Sequence, residues 1–252
     1  MSKRLTFILT SLSLTISLAS ASLLSREQQV SAIFILGAGA FALGWFALRR
    51  EFFGIEFFAL LFLPTLFMIG MGFIQFFFPN LSILFKSVLW LIAFVGFYVI
   101  LLAQNIFGVT AVKPVPLFRA ARTVSFLSTL FISFLLFTAI YKLNLEVWQQ
   151  ILLVVFLSST LGVQSLWTAD PKGVFDKKTF VSGLLLGLGV GEAALGLSFL
   201  PLKSFFRSIA LTTAVYIGLG VGQQHLTYSL TRRTVFEYGV TALIVGLILA
   251  AL

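Results

Sequence analysis

The segment Val181–Leu200, VSGLLLGLGVGEAALGLSFL, indicates the fold of this protein. It contains a single charged side chain, Glu192, and an α-helix of about 20 apolar residues crosses a hydrocarbon core of roughly 30 Å. The rest of the chain has the same character, since 60% of its 252 residues are hydrophobic and only 10% are charged. Soluble domains contain about 25% charged residues. The sequence therefore predicts an integral membrane protein.

Eight further segments resemble Val181–Leu200 in length and composition. The nine predicted membrane spans are Leu5–Leu24, Val30–Leu48, Phe52–Phe78, Leu81–Ala103, Val124–Tyr141, Val147–Trp167, Val181–Leu200, Ile209–Leu230 and Thr234–Leu252. The longest connections, Gln104–Thr123 and Thr168–Phe180, are too short for a soluble domain. We therefore expect an all-α, polytopic transmembrane helix bundle of nine helices that forms one integral membrane domain, residues 1–252.

The distribution of lysine and arginine over alternate connections predicts the orientation of the chain. When all nine spans are counted, twelve basic residues fall on the side of the N-terminus and five on the other side. Because cytoplasmic loops carry the excess of Lys and Arg, we expect the N-terminus in the cytoplasm and the C-terminus outside. This use of basic residues accounts for the net charge of +9 without nucleic-acid binding.

The first predicted span has two interpretations. Lys3-Arg4, an apolar run and the small residues Ala19-Ser20-Ala21 fit a cleavable secretory signal, which would leave eight helices. Five hydroxyl residues in the same span recur at spacings of three or four positions: Thr6, Thr10, Ser13, Ser17 and Ser20. This spacing places them on one helical face, as in a helix packed against others in lipid, and favours a retained first helix.

The residues needed for most catalytic centres are missing from this sequence. It contains no cysteine and a single histidine, His225, so iron–sulfur clusters and side-chain zinc or haem sites lack their usual ligands. It contains no Gly-x-x-x-x-Gly-Lys-Ser/Thr loop, no Gly-x-Ser-x-Gly elbow and no His-Glu-x-x-His pair. We therefore expect no catalytic residues, no metal and no cofactor.

Glu192 is the one charged residue that lies deep within a predicted span. Ionisable residues at such depth are costly and are functional candidates. Gly183, Gly187 and Gly191 repeat every four residues beside it, a spacing that lets another helix approach closely. One interpretation is a proton or cation site at a tight helix crossing. The alternative, which we favour, is a protonated or hydrogen-bonded carboxyl group that joins two helices.

Polar residues near the end of the eighth predicted span form the second group of candidates. Gln223 and His225 lie close to its cytoplasmic end, and Tyr216 lies about two turns before Gln223. At 1.5 Å per residue, His225 is about 7 Å and Glu192 about 16 Å from the cytoplasmic face, so their direct contact would require tilt or a water molecule. Gln223 and Tyr216 are nearer to Glu192 in depth. A histidine near a helix end is more often an interfacial hydrogen-bonding residue than a ligand.

The connection Gln104–Thr123 contains a basic segment with Lys113, Arg119 and Arg122. Two prolines between Lys113 and Arg119 interrupt any helix there. We favour an interfacial elbow that binds anionic lipid headgroups. The alternative is a docking surface for a cytoplasmic partner or a phosphorylated lipid.

The same region resembles a known family. Asn105-Ile-Phe, Pro116-Leu117 and Arg119–Leu127, RAARTVSFL, are similar to the central segment of an uncharacterised family of bacterial multi-pass membrane proteins. The resemblance implies a location in the bacterial cytoplasmic membrane, and no activity is known for that family.

Three functional classes follow from these observations. The glycine and hydroxyl stripes, with almost no buried charge, favour a structural or accessory membrane subunit that contacts a membrane protein partner or a second copy of itself. Glu192, Pro64 and the glycine-rich seventh and eighth spans point instead to a transporter or permease for a small solute or lipid. An enzyme is the least favoured class, because acid–base catalysis needs several positioned titratable groups.

Overall fold

The computed structural model describes residues 3–48, 55–112, 116–143, 145–169, 171, 176–226 and 231–250. All regular secondary structure in these ranges is α-helical. The nine helices of the described residues are α1 (Lys3–Ala21), α2 (Arg26–Leu48), α3 (Ile55–Phe77), α4 (Ile83–Val112), α5 (Phe118–Lys142), α6 (Val147–Trp167), α7 (Lys177–Ser198), α8 (Ser204–Leu226) and α9 (Arg232–Ala250). The prediction of an all-α chain with nine helices is confirmed.

Eight of the described helices, α1 to α8, are long and apolar enough to cross a membrane. The helix α9 is not among them, and it begins with Arg232 and Arg233. One turn later, Glu237 Oε1 accepts a 2.9 Å hydrogen bond from Arg233 Nε, and the two side chains form an ion pair. The helix count is therefore the predicted one, whereas a ninth membrane span stays a prediction.

The long connection expected between the fourth and fifth spans is mostly helical. The helix α4 continues to Val112 instead of ending at Ala103, and α5 begins at Phe118 instead of Val124. Residues 104–112 contain no proline, so the backbone can continue its helical hydrogen bonds. Pro114 follows in the sequence, and the residue before a proline disfavours the helical conformation. The prediction of a loop over Gln104–Thr123 is therefore wrong.

The chain divides into two compact units, Met1–Ser128 and Thr129–Leu252. In the first unit, α1 packs against α2 and α4, and α3 also packs against α2 and α4. The largest fully buried side chains at the centre of this arrangement include Phe7, Leu18, Met68, Phe97 and Leu101.

Hydrogen bonds at both ends of the first unit fix the directions of its helices. At one end, Lys3 Nζ donates to Asn105 Oδ1 at 3.4 Å. At the other end, Gln75 Nε2 donates to the Leu18 carbonyl oxygen at 2.8 Å, and Trp90 Nε1 donates to Gln75 Oε1 at 3.0 Å. Because Lys3 begins α1 and Asn105 lies near the end of α4, these two helices run antiparallel.

The hydroxyl residues of α1 do not share one packed face. Thr10 is buried, but Ser13, Ser17 and Ser20 are exposed. Ser13 Oγ donates to the Thr10 carbonyl oxygen and Ser17 Oγ to the Ser13 carbonyl oxygen, both at 2.9 Å. The exposed hydroxyls therefore complete their hydrogen bonds within their own helix, and the expectation that the whole stripe packs against neighbouring helices is wrong. Retention of this helix as a membrane span stays a prediction.

In the second unit, α6, α7 and α8 pack against one another, and α9 packs against α8. The closest approach joins α6 to α7. The helix α9 contacts α8 through Tyr238, whose ring lies 5.4 Å from the ring of Tyr216 in an edge-on arrangement. A Cβ atom on Gly220 would lie 2.7 Å from Tyr238 Cε1, so this glycine makes room for the tyrosine.

Candidate functional site

The helix α7 begins earlier than its hydropathy predicts because Asp176 caps it. The Asp176 side chain accepts a 3.4 Å hydrogen bond from the Lys178 backbone N–H, which satisfies one of the free donors at the helix N-terminus. The helix therefore begins at Lys177 instead of Val181, and it ends at Ser198. These bounds place Glu192 six residues before the C-terminal end of α7.

One face of α7 packs tightly against α6 through its glycines. Gly183, Gly187 and Gly191 are all buried on this face. A Cβ atom on Gly183 would lie 2.6 Å from the Val163 backbone nitrogen, and one on Gly187 would lie 2.8 Å from the Val155 carbonyl oxygen. Because backbone atoms cannot move aside as a flexible side chain can, only glycine fits at these two positions.

The opposite face of α7 is exposed and carries Glu192. We call this surface the Glu192 face; it consists of Leu185, Leu188, Gly189, Glu192, Leu195 and Gly196, all exposed. Its leucines are 62%, 53% and 46% exposed, respectively. No heavy atom lies within 4 Å of a Cβ atom built on Gly189 or Gly196, leaving aside the backbone of α7 itself. The carboxyl group is thus the one ionisable group of an otherwise apolar surface.

The structure gives the distances of the candidate residues of α8 from Glu192 along the helix axis. Leu186 of α7 packs against Gly218 of α8, since a Cβ atom built on Gly218 would lie 3.2 Å from Leu186 Cγ. This contact sets the register of the two antiparallel helices. By this register, Tyr216 lies about 6 Å, Gln223 about 17 Å and His225 about 20 Å from Glu192 along the helix axis, so Tyr216 is near Glu192 in depth and Gln223 is not. The Tyr216 ring packs against Tyr238 of α9.

Gln223 and His225 have different surroundings although they are two residues apart. Gln223 is 7% exposed, and its Nε2 donates to both the carbonyl oxygen and Oγ of Ser165 on α6, each at 3.3 Å. His225 is exposed near the end of α8. Ser165 was not among the predicted residues, because no sequence pattern links two positions 58 residues apart.

A second polar contact that the sequence did not predict lies at the opposite end of the same unit. Arg207 is half-buried on the first turn of α8, and its Nη2 donates to the Leu200 carbonyl oxygen at 2.8 Å. Its guanidinium carbon lies 5.6 Å from the centre of the Tyr141 ring. Ser204 Oγ donates to the Tyr141 carbonyl oxygen at 3.2 Å. These contacts connect the ends of α5 and α7 to the start of α8.

Two of the three basic residues of the predicted elbow, Arg119 and Arg122, lie on the first turns of α5. Arg119 is exposed and Arg122 is half-buried. Lys113, the third predicted residue, lies outside the described residues.

Within the described ranges, no three His, Asp or Glu side chains are grouped closely enough to hold a metal ion. A cavity of about 10 Å³ lies between α1, α2 and α3 and is lined by Gln29 and Gln75, among others. This is the space of about one water molecule.

Residues 47–252 match the family described as "Protein of unknown function (DUF5656)". The chain therefore belongs to this family of unknown function, as expected from the resemblance of its central segment to an uncharacterised family. The match covers α3 to α9 and all of the second unit. No curated protein and no solved structure matches the chain significantly.

Proposed function

We propose that this member of the DUF5656 family is a multi-pass protein of the bacterial cytoplasmic membrane that acts as a structural or accessory subunit. The Glu192 face carries this proposal. It combines a hydrogen-bonding side chain with two open glycines on a helix of membrane-spanning length. Small residues and polar side chains are the features through which helices associate in lipid, because lipid offers no hydrophobic driving force between helices.

The packing of the second unit also supports an assembly function. The glycine face of α7 is closed against α6, with backbone atoms in direct contact at Gly183 and Gly187. Gln223 is committed to Ser165. Close packing of the glycine face and the hydrogen bonds of Gln223 are the contacts expected of a structural helix pair.

A transporter is the second candidate function, and Glu192 alone favours it. Ionisable residues within membrane spans commonly mark ion or proton pathways. In this case Glu192 would bind a proton or a cation, and water would have to reach it from at least one side of the membrane.

Thiol reactivity at position 192 separates the two functions, because the chain contains no natural cysteine. In membrane vesicles of both orientations, we expect Glu192→Cys to resist a membrane-impermeant maleimide if the face contacts lipid or another helix. The exposed Lys203→Cys is the reactive control, and the buried Ala194→Cys is the protected control. Modification of Glu192→Cys as fast as Lys203→Cys would contradict the accessory function and support transport.

We also propose that Arg119 and Arg122 bind anionic lipid headgroups. An exposed arginine at the start of a membrane-length helix lies where headgroup phosphates are found, and each basic residue near the surface contributes about 1 kcal/mol. Phosphatidylglycerol should therefore raise the thermal stability of the purified protein more than phosphatidylcholine does. Equal stabilisation by both lipids, or no loss of the difference in Arg119→Gln, would disprove the headgroup site.

The proposed orientation places the N-terminus in the cytoplasm and the C-terminus outside, with α9 as a ninth span. Alkaline phosphatase fused after Leu252 should then be active, because this enzyme needs the oxidising exterior. Activity of a cytoplasm-dependent fluorescent reporter at the same position would show that α9 does not cross the membrane.

A further inference from the structure

The environment of Glu192 in a bilayer makes its carboxyl group a strong candidate for an intermolecular contact. Glu192 lies six residues, or about 9 Å, before the end of α7 and about 22 Å after its start. Helical side chains lean towards the N-terminus of their helix, so the carboxyl group points away from the nearer end. In the proposed membrane-spanning arrangement it therefore lies within the hydrocarbon region, where a polar group without a hydrogen-bond partner is costly.

Within the described part of the chain, Glu192 makes no hydrogen bond or ion pair. The exposed serines of α1 differ in this respect, because Ser13 and Ser17 donate to carbonyl oxygens of their own helix. A neutral carboxylic acid contains both a donor and an acceptor. In lipid, where water is absent, this group gains most from a partner that also offers both.

We infer that the Glu192 face is the interface of a homodimer in which two copies of α7 meet at Glu192. The inference deepens the proposed accessory function and rests on it. A second copy inserted in the same direction has its own Glu192 at the same depth. Around a two-fold axis along the membrane normal, the two carboxylic acids can donate to each other reciprocally.

The glycines beside Glu192 provide the space that such a contact needs. Gly189 lies one turn before Glu192 and Gly196 one turn after it, and the volume outside both is open. Two α7 helices could therefore approach closely on both sides of the carboxyl pair. A different membrane protein would fit only if it presented a donor and an acceptor at this depth, whereas a second copy does so by identity.

Disulfide formation between single cysteines tests the dimer in native membranes. We expect Gly196→Cys to form a disulfide-linked dimer of twice the 27.7 kDa monomer mass upon mild oxidation. Leu243→Cys, which is 62% exposed on α9, is the matched control outside the interface and should form little dimer. Dimer formation at Leu243→Cys but not at Gly196→Cys would place any interface elsewhere and overturn the inference.

Substitutions of Glu192 then test the hydrogen bonds themselves. Glu192→Gln retains a donor and an acceptor, so the Gly196→Cys crosslink should persist. Glu192→Leu should raise the dimer dissociation constant by about 3- to 20-fold in proteoliposomes, measured by energy transfer between labelled copies. Equal dimerisation of Glu192→Leu and the natural sequence would disprove the carboxyl pair.

Gly189→Phe provides a second test that leaves Glu192 in place. It fills the open volume of the proposed interface. Apart from the backbone of α7 itself, no atom of the same chain lies within 4 Å of a Cβ atom built on Gly189. The monomer should therefore fold, and its dimerisation should decrease. A photoreactive residue at Leu188 distinguishes this inference from the proposed function. Crosslinking to a different membrane protein without dimer would overturn the homodimer and retain the accessory function, whereas crosslinking to neither would contradict both.

Discussion

The two faces of α7 use the same residue type for different purposes. On the packed face, Gly183 and Gly187 lie against backbone atoms of α6, and Gly191 lies against the Val155 side chain. On the Glu192 face, Gly189 and Gly196 border open volume. The comparison shows that the glycines repeated every four residues mark a close helix contact, whereas Gly189 and Gly196 do not. It also leads to a direct test, because a substitution at Gly187 should lower stability, whereas the same substitution at Gly189 should not.

The largest effect is expected for Gly187→Leu compared with Gly189→Leu. A Cβ atom on Gly187 would contact Val155 O at 2.8 Å and would also meet Ser159, so α6 and α7 must separate. Overpacking of this kind costs about 1–3 kcal/mol, and more where backbone is involved. At protein concentrations low enough for the monomer, the thermal unfolding midpoint of Gly187→Leu in detergent should therefore fall clearly, whereas that of Gly189→Leu should not. Equal loss in both variants would mean that the two faces of α7 are packed alike.

Hydropathy predicted the helices well because length and apolar composition alone determine whether a segment can cross a bilayer. It could not predict which face of α7 is exposed, since both faces are apolar: Val190 and Ala194 are buried, whereas Leu185 and Leu188 are exposed. The distance-four spacing of Gly183, Gly187 and Gly191 predicted a tight crossing but did not identify α6. The depth of Gln223 relative to Glu192 depended on that missing information, and so did the pairing of Gln223 with Ser165.

The wrong prediction of a loop between the fourth and fifth helices has a different cause. Hydropathy marks where a segment leaves the apolar region, but it does not mark where helical hydrogen bonding ends. Gln104 and Asn105 lower the local hydropathy, yet neither breaks a helix. The helix α4 accordingly continues to Val112, and Arg119 lies on a helix instead of in a loop.

An intermediate effect is expected for Gln223→Leu, which removes a polar contact on the packed side of the unit. The substitution deletes both hydrogen bonds to Ser165. Hydrogen bonds between helices in membranes contribute about 0.6 kcal/mol on average and up to about 1.7 kcal/mol. We expect the free energy of unfolding to fall by an amount in this range when it is measured by steric trapping in bicelles. The matched control His225→Leu, on an exposed residue of the same helix, should change stability by less than about 0.5 kcal/mol.

The smallest effect on the monomer is expected for Glu192→Leu, although it removes the one charged residue of the Glu192 face. Because Glu192 is exposed and makes no hydrogen bond within the described residues, its removal breaks no contact of the folded chain. The unfolding free energy of the monomer, measured with the protein highly diluted in detergent micelles, should change by less than about 0.5 kcal/mol. A loss comparable to that of Gln223→Leu would show that Glu192 binds a residue of its own chain, and the difference between the two faces of α7 would disappear. Unchanged monomer stability combined with weaker association would instead locate the function of Glu192 between molecules.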